Sequence, residues 1–378
     1  MQDRSIIHEG GRLRIDLGAI VKNYRIIAAR CAPAEVGAVV KADAYGLGAA
    51  EVAKVLRDAG CRLFFVAHLE EALPLRPLLP SDARLIILNG VPAGTEALCA
   101  GSKLVPVLNS LDQARRWRDA ADAAGRRLPA ALQIDSGMAR LGVASEELAT
   151  LVSDEPFGTA VDLVMLMSHL ACADTPDHAV NAEQLARFEA MAALFPGVPR
   201  ALANSGGAFL APAFHCDIVR TGIALYGGAP SDAATNPIQP VVGLDARVIQ
   251  IRTVPAGSGV GYGHDYRCKS ESRIATIGVG YADGLPRTLG NRGAAWLGHA
   301  RLPIVGRVSM DSITLDVTAL PPGRLRPGDW VELIGPHQPI DALARDAGTI
   351  SYEMLTSLGA RYHRTYLASD ARDQARAA

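Results

Sequence analysis

The sequence predicts an α/β fold: an N-terminal (β/α)8 TIM-type barrel followed by a C-terminal β-rich domain. Three observations carry this reading. Eight short apolar runs punctuate the first 230 residues, and a helix-like stretch follows nearly every one. Most of these runs are continuous Val, Ile, Leu and Ala without alternation, which is how strands buried on both faces read. Each ends in a polar residue able to do chemistry, as in a barrel whose site lies at the carboxyl ends of its strands.

Taken in order, residues 17–31 have helical spacing and precede the first strand. Strands are expected at 36–40, 62–67, 84–88, 104–108, 130–134, 163–168, 201–203 and 217–219. They lead to Lys41, His68, Asn89, Asn109, Asp135, His169, Asn204-Ser205 and Arg220. Amphipathic stretches at 49–59, 111–124, 146–153 and 182–194 supply connecting helices. Residues 206–212 are short for such a helix. The pattern changes after Tyr226, where Gly227-Gly228-Ala229-Pro230 and the polar stretch to Asn236 read as a linker. Beyond Pro240, alternating or β-branched runs at 246–254, 273–279, 302–308, 312–317 and 329–334 are separated by Gly/Pro turns. Late helices are expected at 340–347 and 352–358. The expected division is therefore a barrel over 1–236 and a β-rich domain over 237–378.

A chain of 378 residues suits a barrel of about 250 plus a smaller partner. Apolar residues make up 49%, enough for a large core. A net charge of −1 argues against nucleic acid or a membrane surface and for a small-molecule substrate. No apolar run reaches the roughly 20 residues of a membrane span. Met1-Gln2-Asp3-Arg4 lacks the apolar stretch of a signal peptide. The six cysteines are scattered without a CxxC pair, so neither zinc nor a disulfide framework is expected. A reducing cytoplasm fits this pattern.

Four constellations can carry chemistry. Lys41 ends the first strand and is followed by Tyr45, Gly46 and Gly48. An apolar wall lowers a lysine pKa and frees the amine to condense with an aldehyde; a lone strand-end lysine also simply snorkels to water. Asn204-Ser205-Gly206-Gly207 and Arg220-Thr221-Gly222-Ile223 follow strands seven and eight, where barrels often bind phosphate. Tight glycine turns are the plainer reading. Lysine plus phosphate cradle points to pyridoxal phosphate or an aldolase-like phosphosugar. Tyr262 lies between glycines in Gly259–Tyr266, either openly approachable or merely packed on a hairpin. Arg140, after Asp135-Ser136-Gly137, suits a carboxylate bidentately, while Asp135 alone reads as a structural ion pair. His169 and Cys172 are two candidate ligands and do not make a metal site.

Val39-Val40-Lys41-Ala42-Asp43-Ala44-Tyr45-Gly46-Leu47-Gly48 closely resembles the cofactor-lysine signature of alanine racemases, which use pyridoxal phosphate on a barrel plus a β domain. The resemblance continues, in the family's order, through 134–142, Ser168-His169-Leu170, Ala203-Asn204-Ser205, 217–226, 260–263, 279–284, 304–311 and 350–353. It implies interconversion of L- and D-alanine, with D-alanine feeding peptidoglycan or L-alanine being catabolised. Lys41 would carry the cofactor and act as one base. Tyr262 would be the opposite base, reaching the site from the other subunit of a homodimer. Arg220 would hydrogen-bond the pyridine nitrogen. Tyr45, Ser205, Gly222, Ile223 and Tyr352 would hold the phosphate, with His169 and Asn204 completing the cofactor site. Arg140, the amide of Met310 and Asp311 would receive the substrate. Tyr281 and Tyr352 would narrow the entrance, with Asp174, Arg287 and Arg307 further out.

The implied residue types make chemical sense. One base on each face of Cα exchanges the proton without rotating the carbanion. Free tyrosine titrates near 10, so a tyrosine base needs positive neighbours, which Arg220 through His169 would supply. Arginine cannot accept the proton that a carboxylate would stabilise on the ring nitrogen, so less charge spreads into the ring. One position departs from the family. Many members have a carbamylated lysine seven residues before the substrate arginine, and here that position is Gln133. A bound anion such as chloride, or another hydrogen-bond arrangement, is expected to orient Arg140 instead. Two other readings remain open. A barrel-type decarboxylase would place a catalytic cysteine in the β domain, where Cys268 is the only one. A non-catalytic cofactor carrier would resemble the barrel alone.

Overall fold

The computed structural model describes residues 10–232 and 236–368. The Met1–Arg4 segment and positions 233–235 of the expected linker lie outside the described residues. Two compact units emerge: Ile20–Leu225 with Ala229–Ile238, and the chain up to Ala19 with Tyr226–Gly228 and the chain from Gln239.

The first unit is a parallel barrel. Its strands are β2 (Glu35–Val39), β3 (Leu63–Val66), β4 (Arg84–Ile87), β5 (Val105–Leu108), β6 (Leu128–Gln133), β7 (Val161–Met167), β8 (Arg200–Ala201) and β9 (Ile218–Thr221), numbered after a first strand β1 (Gly11–Asp16). They run in the order β8-β7-β6-β5-β4-β3-β2-β9. The remaining gap is spanned by Asp217 N–H to the Arg200 carbonyl at 3.0 Å and Arg220 N–H to the Ala203 carbonyl at 2.9 Å. Strands β3 and β5 are buried at every position, as their unbroken apolar runs require. Phe64, Phe65, Trp117 and Phe188 are among the largest fully buried side chains. Each such ring contributes about 1.5–3 kcal/mol by leaving water.

Helices cover the outside between most strands, from Leu17–Cys31 through Ala49–Asp58, Leu69–Leu75, Leu111–Ala124 and Ala179–Ala192. Ser110 starts one of them by accepting the Gln113 N–H, and left-handed Gly125 ends it. Between β8 and β9 there is no α-helix. Two 3-10 turns, Gly207–Phe209 and Pro212–Phe214, make the connection that was too short for one.

The second unit is built on β10 (Val242–Val254), whose alternating burial places one face in a core. With β11 (Gly259–Val260), β12 (Tyr266–Arg267), β13 (Ser272–Ile277), β14 (Ala294–Leu297), β15 (Ala300–Pro303), β16 (Ile313–Asp316), β17 (Trp330–Ile334) and β18 (His363–Leu367) it completes the strands. The main sheet runs β15-β14-β17-β10-β1-β18, and β13 pairs with β10 and β16. Strand β1, first in the chain, therefore lies in this sheet, antiparallel to β10 and parallel to β18.

Candidate active site

Lys41 stands just past β2 on the carboxyl side of the barrel. The next four residues, Ala42, Asp43, Ala44 and Tyr45, all have left-handed φ between 52° and 58°. A left-handed turn of L-residues costs about 1–2 kcal/mol per residue, so this one needs support from several sides. Ala44 and Tyr45 are buried. Gly48 N–H donates to the Asp43 carbonyl at 2.9 Å, and Ala49 N–H to Asp43 Oδ1 at 2.7 Å. At the head of the turn, Ala42 N–H donates to Glu71 Oε1 at 2.6 Å. Burial holds the Lys41 amine below the ordinary lysine range, and Arg140 and then Arg220 push the same way while Glu71 opposes them. That setting makes the amine a better nucleophile than an exposed lysine.

Arg220 is buried, and among the described residues none of its hydrogen-bond partners is a carboxylate. Its guanidinium donates to the carbonyls of Ala201 and Ser168, each at 2.6 Å, and to His169 Nδ1 at 3.3 Å. Burial lowers it to about 10, which still leaves it charged at neutral pH. A guanidinium is donor-only, so His169 Nδ1 accepts and the imidazole proton sits on Nε2. Burial, then Arg220, Arg140 and Lys41, depress His169 to about 3, so the ring is neutral.

A second layer fixes these groups. Gln184, fully buried on the helix Ala179–Ala192, donates to the His169 carbonyl at 3.0 Å and accepts the Ala171 N–H at 2.8 Å. Ser136 and Ser168 hydroxyls meet at 2.7 Å, tying the loop after β6 to the end of β7. Asp135 turns inward on its own loop: Oδ1 accepts the N–H groups of Gly137, Met138 and Ala139 at 2.8–3.2 Å. Gln133 is buried and donates to the Leu141 carbonyl at 3.1 Å, so its amide braces the backbone beside Arg140. Arg140 itself is exposed.

The turns after β8 and β9 interlock. Ser205 Oγ accepts the Gly222 N–H at 2.9 Å and the Ala224 N–H at 3.3 Å, with Thr221 Oγ1 at 3.2 Å. Asn204 Oδ1 accepts the Gly207 N–H at 2.8 Å, which commits that oxygen to shaping the turn. Gly222 has no room for a side chain, because a Cβ there would lie 2.3 Å from the Tyr45 hydroxyl. Tyr45, Ser205, Gly222 and Ile223 thus come together, from two ends of the sequence. Asp174 is exposed, with its carbonyl taking the Asp232 N–H at 2.8 Å.

The second unit holds the other expected residues. Tyr262 tips the β11–β12 hairpin between two left-handed glycines, Gly261 and Gly263, and is 69% exposed. Asp265 in the same tip pairs with Arg307. Tyr281 N–H donates to the Ser309 carbonyl and Ala282 N–H to the Met310 carbonyl, both at 3.0 Å, so the 281–283 and 309–311 turns form one block. Arg361 braces it, pairing with buried Asp283 at 2.7 Å and Asp311 at 2.6 Å. Met310, Tyr281 and Tyr352 are exposed, as is Arg287. Cys268 is buried with Val260, Ile274 and Val305 in an apolar cluster, which keeps its sulfur from substrate.

Two family models match the chain: the alanine racemase N-terminal domain over residues 15–230 and the alanine racemase C-terminal domain over 241–366. The chain belongs to the alanine racemase family. It is 54% identical over 357 residues to the catabolic alanine racemase of Agrobacterium fabrum, covering 94% of this chain and 92% of that one. Against the alanine racemase of Brucella abortus the identity is 52% over 379 residues, covering 97% and 96%. The crystal structure of alanine racemase from Bartonella henselae with covalently bound pyridoxal phosphate superposes with a TM-score of 0.92 at 44% identity, covering 95% of this chain and 99% of that one. The match of both domains leaves no support for a carrier that is a barrel alone.

Alanine racemases depend on pyridoxal phosphate, and the barrel mouth fits that cofactor. The fit rests on the donors: an amine of lowered pKa, a buried guanidinium without a carboxylate, and hydroxyls and amides around a glycine too tight for a Cβ. Two residues of this mouth escape motif reading. Gln184 is signalled only by a polar residue four positions before Phe188 on the buried face of a helix. Glu71 is signalled by a carboxylate three residues after a strand-end residue, the spacing of a capping box.

Proposed function

We propose that this protein interconverts L- and D-alanine with pyridoxal phosphate, acting as a cytoplasmic homodimer whose barrel, Ile20–Leu225 with Ala229–Ile238, binds the cofactor while the β-rich unit of the partner copy supplies the opposite base. The observation that carries the reading is the Arg220–His169 pair beside a lysine amine of lowered pKa. When bound, the cofactor offers an aldehyde for amines and an electron sink that makes the Cα proton removable.

The chain's own groups divide the work. Lys41 Nζ holds the cofactor and exchanges the Cα proton of the D-enantiomer. Tyr262 Oη exchanges that of the L-enantiomer from the opposite face. Arg140, the Met310 amide and Asp311 receive the substrate end, and Arg140 meets a carboxylate with paired donors. The gathered hydroxyls and amides of Tyr45, Ser205, Gly222 and Ile223, with Tyr352, hold the phosphate, and Asn204 shapes the turn beside them. Tyr281, Tyr352, Asp174, Arg287 and Arg307 shape the approach. His169 keeps Nε2–H as a donor at neutral pH, because its Nδ1 is committed to Arg220. Arg220 donates to the pyridine nitrogen and has no proton-accepting group to offer it. Replacing Arg220 with Glu should therefore raise transamination, read as pyruvate released from alanine; an unchanged ratio of pyruvate to racemised alanine contradicts this role.

Enantiomers have equal free energies, so the enzyme cannot set a direction. Whether it supplies D-alanine to peptidoglycan or L-alanine to catabolism depends on what consumes each. The test is purified protein with pyridoxal phosphate and L-alanine, followed by chiral chromatography. D-alanine rising to an equal share is expected. L-alanine unchanged, with cofactor bound, overturns the proposal.

A further inference from the structure

The β2–β3 ladder ends where the cofactor site begins. Val40 N–H makes the last rung, to the Phe65 carbonyl at 2.8 Å. The following amides, Ala42 after β2 and Ala67 and His68 after β3, have no sheet partner there. All three converge on one side chain, Glu71. Its Oε1 accepts Ala42 N–H at 2.6 Å, and its Oε2 accepts Ala67 N–H at 2.7 Å and His68 N–H at 3.0 Å. A single carboxylate thus replaces the next rung of the barrel. It clamps the head of the left-handed turn that begins beside Lys41 and ends at Tyr45.

We propose that Glu71 is a positioning residue for the cofactor: by joining the ends of β2 and β3 it fixes where the Lys41 amine and the Tyr45 hydroxyl sit. The inference rests on the proposed roles of those two residues. Four left-handed L-residues do not hold that shape by themselves. Asp43 secures the exit of the turn through Gly48 and Ala49, and Glu71 secures its head. A carboxylate suits this position because all three partners are donors, and an amide would turn two hydrogens of its own toward them. Glu71 also contributes charge. Lys41 is faced by Arg140 and Arg220, with His169 neutral nearby, and Glu71 is the negative group among them.

Two variants separate reach from charge. Glu71→Gln keeps the length and removes the charge; Glu71→Asp keeps the charge and shortens the reach. Both should weaken pyridoxal phosphate binding about tenfold, the scale of one lost hydrogen bond to a charged group. In Glu71→Gln alone, the pH titration of the bound cofactor's visible absorbance should move to lower pH. Wild-type affinity with an unmoved titration in Glu71→Gln overturns the proposal. So does loss of the apoprotein's folded circular dichroism in both variants, which would make Glu71 a general structural residue. Borohydride reduction of the wild-type holoenzyme and peptide mass spectrometry test the parent reading separately: cofactor on a residue other than Lys41 overturns both, whereas cofactor on Lys41 with unaffected variants overturns only this one.

Discussion

At the residue scale, the site is a set of groups each forced into one protonation and one orientation by its neighbours. His169 has a single tautomer because it faces a donor that cannot accept. Gly222 is glycine because the Tyr45 hydroxyl occupies the space of a Cβ. Gly222→Ala should displace that phenol and raise the dissociation constant for pyridoxal phosphate about 10- to 100-fold, the cost of hydrogen bonds lost to a charged group. Equilibrium dialysis or fluorescence titration measures it, and an unchanged constant contradicts the crowding. The strand-end places of Lys41 and Arg220 and the glycine turns after β8 and β9 were legible in the sequence because strand ends and glycine turns mark themselves; that Ser205 accepts the Gly222 amide was not. The left-handed run was not. Ala42-Asp43-Ala44-Tyr45 contains no glycine, and the carboxylates of Glu71 and Asp43 that help to hold it are distant or ambiguous in sequence.

At the element scale, continuous apolar runs identify parallel barrel strands to within a few residues, since burial on both faces leaves no other composition. Helices Leu17–Cys31 and Ile340–Ala347 likewise follow from their spacing. Strands β1 and β18 are not readable this way. Strand β1 alternates arginine with leucine and isoleucine, β18 has no continuous apolar run, and β1 finds its partners more than 200 residues away, Leu13 opposite Leu244. Tertiary context, not local pattern, makes them strands. Leu13 is completely buried there. Leu13→Ala should cost about 2–5 kcal/mol, the range for a buried leucine whose cavity only partly collapses. Urea unfolding followed by tryptophan fluorescence would show it, and a loss below 1 kcal/mol would mean that β1 is not anchored in this core.

At the scale of the whole molecule, burying a histidine beside the cations of this site has a cost in acid. His169 titrates at about 3 when folded, against 6.5 for the free side chain. Between those values an unfolded chain binds a proton that the folded one refuses. Stability should therefore fall as pH drops through this window, by up to about 1.4 kcal/mol per unit from this group. His169→Asn removes that contribution, so the variant should gain on the wild type as pH falls from 6 to 4. A constant difference between them contradicts the depressed histidine. The change of architecture between the two units was partly readable too, since glycine turns and alternation after Tyr226 announce it. That the first strand joins the second unit was not, because chain order carries no such signal.

The measurement that most directly tests racemisation on two faces is exchange in heavy water, with wild type and Tyr262→Phe side by side. Each is given pyridoxal phosphate and D-alanine, and both enantiomers are analysed for deuterium at Cα. Wild type should yield equal enantiomers, with the newly formed L-alanine fully deuterated. Tyr262→Phe should exchange the Cα proton of D-alanine through Lys41 while forming L-alanine at least 100-fold more slowly, the scale of a lost general acid–base. L-alanine formed by Tyr262→Phe at the wild-type rate would contradict a tyrosine base on the second face.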